Sequence, residues 1–179
     1  MRVWPLWERL ARRIWRTVPI PNAPHGALDV YLGRYHGEPI VLSDGTPIQP
    51  GDRVIELHMN NLIVLDAVQG SSWRILRVLE SDLRALAAWI SQPDFAPDVQ
   101  AIYAVTLLGR GATWLGFHLR DRPAGLRARL DRLFMAGLLA IYTNEGFDRL
   151  SRGKTFGPYP QEMWMSRTEL LRRYGETTT

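Results

Sequence analysis

Glu56, His58 and Asn60 stand at alternate positions of the segment Arg53 to Asn60, whose intervening positions are Ile55, Leu57 and Met59. Period two is the mark of a strand with one apolar and one polar side. The three polar side chains then share a face, about 7 Å apart from one to the next. A carboxylate, an imidazole and an amide so placed can hold a hydroxylated or phosphorylated ligand. They can equally supply an acid/base pair in which Glu56 assists His58. The plainer alternative is a polar sheet face turned to solvent or covered by a loop.

A second group lies late in the chain. Residues 144–167 gather Asn144, Glu145, Arg149, Arg152, Lys154, Tyr159, Trp164, Ser166 and Arg167 into loop-like sequence, and loops carried on rigid elements host sites disproportionately. Arg152, Lys154 and Arg167 suit a phosphate or carboxylate, with Tyr159 or Trp164 as a stacking wall. Lys154 is the lone lysine among 22 basic residues. Against this stands a structural alternative, in which Trp164 and Met165 pin the loop to the core and the cations are solvated.

Other chemistries are excluded. There is no cysteine, hence no disulfide, thiolate metal site or thiol nucleophile. The four histidines, His25, His36, His58 and His118, show no metal-binding spacing, so neither metal nor cofactor is expected, although His118 would be the third ligand if it met Glu56 and His58. Gly153-Lys154-Thr155 lacks the earlier glycine of a phosphate loop, where Asp148 stands instead. Gly109-Arg110-Gly111 lies between two expected strands and opens no helix, so it is no dinucleotide fingerprint. No G-x-S-x-G occurs.

Several elements must position these groups. The spacing of Trp4, Trp7, Leu10, Ala11, Ile14, Trp15 and Val18 predicts an amphipathic helix over 5–18. Pro19, Pro21 and Pro24 then make a stiff linker. Leu28, Val30 and Leu32 alternate as a strand, 38–42 forms a short second one, and Ser43-Asp44-Gly45 turns. A helix is expected from Ser71 or Ser72 to about Ser91. Next come a β-hairpin with arms 100–108 and 112–119 and a helix over 125–142. Residues 147–165 read as irregular, and Ser166-Arg167-Thr168-Glu169 has the form of a capping box opening a last short helix. The sum is an α+β fold. A mainly antiparallel sheet of about five strands packs against three to four helices, as an N-terminal helix (1–20), a linker (21–26) and one domain (27–179).

Charge narrows the partners. The net charge is +4, and the first twenty residues, with five arginines against Glu8, carry all of it. The remaining chain holds 17 basic and 17 acidic residues, so no nucleic-acid partner is expected. The arginines and tryptophans of residues 4–18 fit either a membrane surface or packing on the chain's own body or on a twin chain in a homo-oligomer. The longest apolar run, Phe134 to Tyr142, is too short to span a bilayer. The expected location is the cytoplasm or the inner face of the membrane.

Gly51-Asp52-Arg53-Val54-Ile55-Glu56-Leu57-His58-Met59-Asn60-Asn61, Leu115-Gly116-Phe117 and Trp164-Met165-Ser166-Arg167 resemble the YkoP-like domain, over about residues 5–175. The resemblance implies a bacterial setting. It implies no reaction, but it does imply a link to envelope polysaccharide, because that domain occurs alone or C-terminal to polysaccharide deacetylases. The deacetylase metal motif is missing here, so deacetylation does not transfer. The leading expectation is a domain binding a small polar or anionic, sugar- or phosphate-containing ligand. Glu56, His58, Asn60, Asn61, Arg152, Lys154, Tyr159, Trp164, Ser166 and Arg167 would line its pocket. Two alternatives stand beside it: an enzyme using His58 with Glu56, and a peripheral membrane protein held by its N-terminal helix.

Overall fold

The computed structural model describes residues 17–60, 72–106, 109–121 and 161–175. The expected helices over 5–18 (but for its last two residues) and 125–142 lie outside them, as do Asn61, Arg152, Lys154 and Tyr159. In chain order the described elements are β1 (Val18–Pro19), β2 (Leu28–Arg34), β3 (Ile40–Val41), β4 (Pro47–Ile48), β5 (Arg53–Met59), α1 (Ser72–Ile90), β6 (Val99–Thr106), α2 (Arg110–Trp114), β7 (His118–Arg120), β8 (Gln161–Ser166) and α3 (Arg167–Tyr174). The fold is α+β. Six strands form one sheet in the order β1-β2-β5-β6-β8-β7, and β3 and β4 form a small second one. Among the described strands only the central β5–β6 pair is parallel.

Alternation decides which residues face which layer. Leu28, Val30, Ile55, Leu57, Ile102, Ala104, Met163 and Met165 point to one side and form the main core. Against them α1 lays Ile75, Leu76, Leu79, Leu83, Leu86, Ala87 and Ile90, a three–four spacing that gives one apolar helix face. The other side of the sheet divides. The β3–β4 hairpin covers one part, where Ile40, Leu42 and Ile48 meet Val54, Ala101 and Trp164 in a second buried cluster. The remainder carries the polar strand positions.

One buried acid stands inside the main core. Asp82 of α1, with no exposed surface, accepts hydrogen bonds from the backbone N–H groups of His25, Ala27 and Leu28 at 3.2, 2.6 and 3.3 Å. It fastens the entry to β2 onto the helix. At the helix's other end Arg167 donates to the carbonyls of Ile90 (2.7 Å) and Ala96 (3.0 Å). Ile90 O is one of the terminal carbonyls a helix leaves without an internal partner.

Three expectations need correction. Val18 does not end a helix but pairs in β1 with Val30, since the residue before a proline is pushed to extended backbone. The hairpin over 100–119 does not form. Its first arm is β6, but residues 110–114 are helical and β7 pairs with β8 rather than β6. Short apolar runs suit strand and helix alike, and here Gly109 (φ +47°) and Gly116 (φ +86°) bracket a single helical turn. Finally, the supposedly irregular stretch ends in β8, which is inserted between β6 and β7. Gln-Glu-Met-Trp-Met contains no β-branched residue, so its strand signal is weak. The capping reading holds in its first half. Ser166 Oγ accepts from the Glu169 N–H at 2.9 Å, while the Glu169 carboxylate takes Arg172 at 2.7 and 2.6 Å.

Candidate functional site

Strand register sets the site. Tyr31 of β2 is level with Glu56 of β5, Glu56 with Tyr103 of β6, Tyr103 with Trp164 of β8, and Trp164 with His118 of β7. Residues level with one another point to the same side, so one row crosses five strands. One step along, Asp29 is level with His58.

The centre of this row is a connected relay. The Tyr103 hydroxyl donates to Glu56 Oε2 at 2.7 Å, and Glu56 Oε1 lies 3.5 Å from His58 Nε2. The Tyr103 ring stacks on Trp164, centroids 4.7 Å apart and planes 16° from parallel. Trp164 meets the edge of Tyr35 at 5.3 Å and donates from Nε1 to Glu162 at 3.1 Å. A buried indole therefore sets the ring that orients the carboxylate. The side chains of His58 and Glu56 remain 24% and 31% exposed, enough for a solute to touch both.

Burial lowers the His58 pKa, and the nearby carboxylates of Glu56 and Asp29, which pull the other way, do not reverse it. The imidazole is thus neutral at neutral pH, available as acceptor or base and oriented by a carboxylate. A stability consequence follows. The unfolded imidazole takes up its proton near the ordinary value of 6.5, the folded one only at lower pH. In that window the unfolded state binds more protons, so stability falls as pH drops below about 6.5. The expected result is a thermal midpoint that declines from pH 7.5 to 5.5 more steeply in the native chain than in His58→Gln. Parallel profiles would refute it.

The structure brings the candidate residues together only in part. The strand holding Glu56 and His58 does join the segment before Ser166, through Tyr103. Two recesses flank Trp164, but neither is lined by Glu56 or His58. One, of about 310 Å³, lies between the β3 segment and His118 and Arg120. The other, of about 170 Å³, lies beside Asp44, Ser166 and Glu169. Trp164 is 1% exposed, too buried to serve as an open stacking wall. Ser166 caps α3 and also donates to Asp44. Burial works against the charged Asp44 carboxyl, but the hydrogen bonds from Ser166 and Thr46 outweigh it and hold its pKa below the usual range. Arg167 is spent on the carbonyls of Ile90, at the end of α1, and Ala96, beyond it, and does not reach the row. Asn60 follows β5 and donates its N–H to the Ala27 carbonyl at 2.8 Å. His118 sits three strand positions from Glu56, about 14 Å, and does not converge with it. Among the described residues no three His, Asp or Glu side chains are grouped as metal ligands would be.

The row adds Tyr31 and Tyr103, and the next step along adds Asp29, none of them singled out as ligands in the sequence. Tyr31 is 36% exposed beside Glu56 and presents a ring where the buried Trp164 cannot. The signal for Asp29 and Tyr31 was their alternation with Leu28, Val30 and Leu32. Tyr103 alternates likewise with Ile102 and Ala104, but its partner is 47 residues away.

An α+β sheet with one helix-packed side and one polar, aromatic side is the class this geometry defines. The chain belongs to the YkoP domain family, whose model matches residues 1–174. It is 27% identical over 123 residues to "Uncharacterized protein YkoP" of Bacillus subtilis (strain 168), a match covering 65% of this chain and 67% of that protein. No solved structure gives a significant match. Among the described residues no helix is long and apolar enough to cross a membrane.

Proposed function

We propose that this domain binds a small, uncharged, hydroxyl-rich ligand of sugar type on the β2–β5–β6 face. The carrying observation is the Tyr103–Glu56–His58 relay, a carboxylate held at one oxygen and a neutral imidazole beside it, both partly exposed. Glu56 accepts from a ligand hydroxyl, His58 accepts or donates, and the Tyr31 ring supplies an apolar wall. An anion fits this face less well, because Asp29 and Glu56 flank the imidazole while Arg167 is engaged elsewhere. The connection to envelope polysaccharide rests on the chains to which the resembling domain is fused.

The test titrates the full chain with chitotetraose and, separately, with inorganic phosphate, following backbone amide resonances. Chitotetraose is expected to shift Tyr31, Glu56 and His58, and Glu56→Gln to weaken it about tenfold, as loss of a hydrogen bond to a charged group does. Response to phosphate alone, or none to the saccharide, rejects the reading. A second reading, catalysis by His58 as base with Glu56 orienting it, is favoured by the neutral imidazole. It requires that His58→Ala keep saccharide affinity while abolishing the appearance of product in the mass spectrum.

A further inference from the structure

Two tryptophans lie outside this site and outside both cores. Trp73, at the start of α1, is 60% exposed, and Trp114, at the end of α2, is 40% exposed. Their rings meet edge to face, centroids 5.3 Å apart, so the exposed indoles form one patch rather than two isolated side chains. Arg173 of α3 donates to the Trp114 carbonyl at 2.7 Å and fixes the patch from a third helix. Arg77 stands four residues after Trp73 and Arg110 four before Trp114, each on the same helix side as its indole. Both arginines are exposed, and neither makes a hydrogen bond or ion pair among the described residues. Glu80, the carboxylate next along that side of α1, is spent on Arg84 at 2.8 Å.

We propose that this patch, Trp73 and Trp114 flanked by Arg77 and Arg110, docks on an anionic lipid surface. Indoles suit the boundary between headgroup and acyl chain, and guanidinium groups beside them meet lipid phosphates. Charge decides the occupant. Among the described residues Arg77 and Arg110 have no carboxylate partner, so two exposed cations border the apolar rings and complement an anionic surface. A nucleic acid would need a longer track of cations than two, in a chain whose positive excess lies wholly in its first twenty residues.

The experiment floats the full chain with vesicles of phosphatidylcholine containing phosphatidylglycerol, and with phosphatidylcholine alone. Binding to the anionic vesicles only is expected. Trp73→Ser/Trp114→Ser and Arg77→Gln/Arg110→Gln should each weaken it about tenfold. Both arginines are exposed and make no hydrogen bond or ion pair among the described residues, so the arginine variant is read even if the tryptophan variant unfolds. Four results overturn the proposal: no binding, equal binding to both vesicles, unchanged binding by the arginine variant, or binding lost only when residues 1–16 are removed. Preferential binding of a single-stranded oligonucleotide, or self-association that the tryptophan variant abolishes, assigns the patch to another partner and overturns it too.

Discussion

Asp82→Ala should lower the thermal unfolding midpoint by roughly 10 °C. The Asp82 carboxylate has no exposed surface and takes three backbone N–H groups, from His25, Ala27 and Leu28. Removing it leaves donors buried without an acceptor at the point where β2 enters the sheet. The cost of such a break is about 3–5 kcal/mol, and in a chain of this size each kcal/mol moves the midpoint by about 2–4 °C. Asp82→Asn keeps the volume and one acceptor oxygen, yet turns an N–H toward donors, so it should fall between the two. Calorimetry of the three proteins decides the matter. A shift in Asp82→Ala of only a degree or two would mean that water or a backbone rearrangement replaces the carboxylate.

The second large effect belongs to Trp164→Ala. This indole is the widest member of the cluster under the β3–β4 hairpin, stacked on Tyr103 and met edge-on by Tyr35. Truncating a buried aromatic residue costs about 3–5 kcal/mol, part of it for the cavity left behind. The loss should be local as well as global. Amides of residues 40–48 should exchange with solvent faster, because Ile40, Leu42 and Ile48 lose the surface they cover. Tyr103 loses its stacking partner, so saccharide affinity should weaken with it even though Trp164 touches no ligand. Trp164→Phe restores a ring and should recover most of both. Urea unfolding with hydrogen exchange separates these outcomes, and unaltered exchange at 40–48 would show the hairpin to be held by something else.

What was legible in the chain was what repeats locally. β2, β5 and α1 follow from alternation or from three–four spacing, because burial on one side imposes the period on the sequence. The Glu56–His58 pair was legible for the same reason. β8 was not: a six-residue strand takes its identity from neighbours contributed by distant segments, and Trp164 reads equally well as a loop anchor. Asp82 sits on the buried side of a helix, where it looks like a break in the pattern until residues 25–28 arrive. Ser166 and Arg167 were legible as chemistry but ambiguous in purpose. Their polar atoms serve helix ends, one starting α3 and one finishing α1. The full relay needed Tyr103 beside Glu56, a matter of register between strands separated by α1.

The placement of β8 also has a consequence for synthesis. β7 is complete at Arg120, yet it pairs with no described strand but β8, which begins at Gln161. At ordinary ribosomal speed those intervening residues take roughly 2–8 s to make. Among the described strands, β6 then lacks its β8 neighbour and β7 its only partner, a state inviting wrong pairing with another chain. Of the described strands, the last in chain order is therefore the one that joins β7 to the sheet, and chaperone dependence should concentrate in that gap.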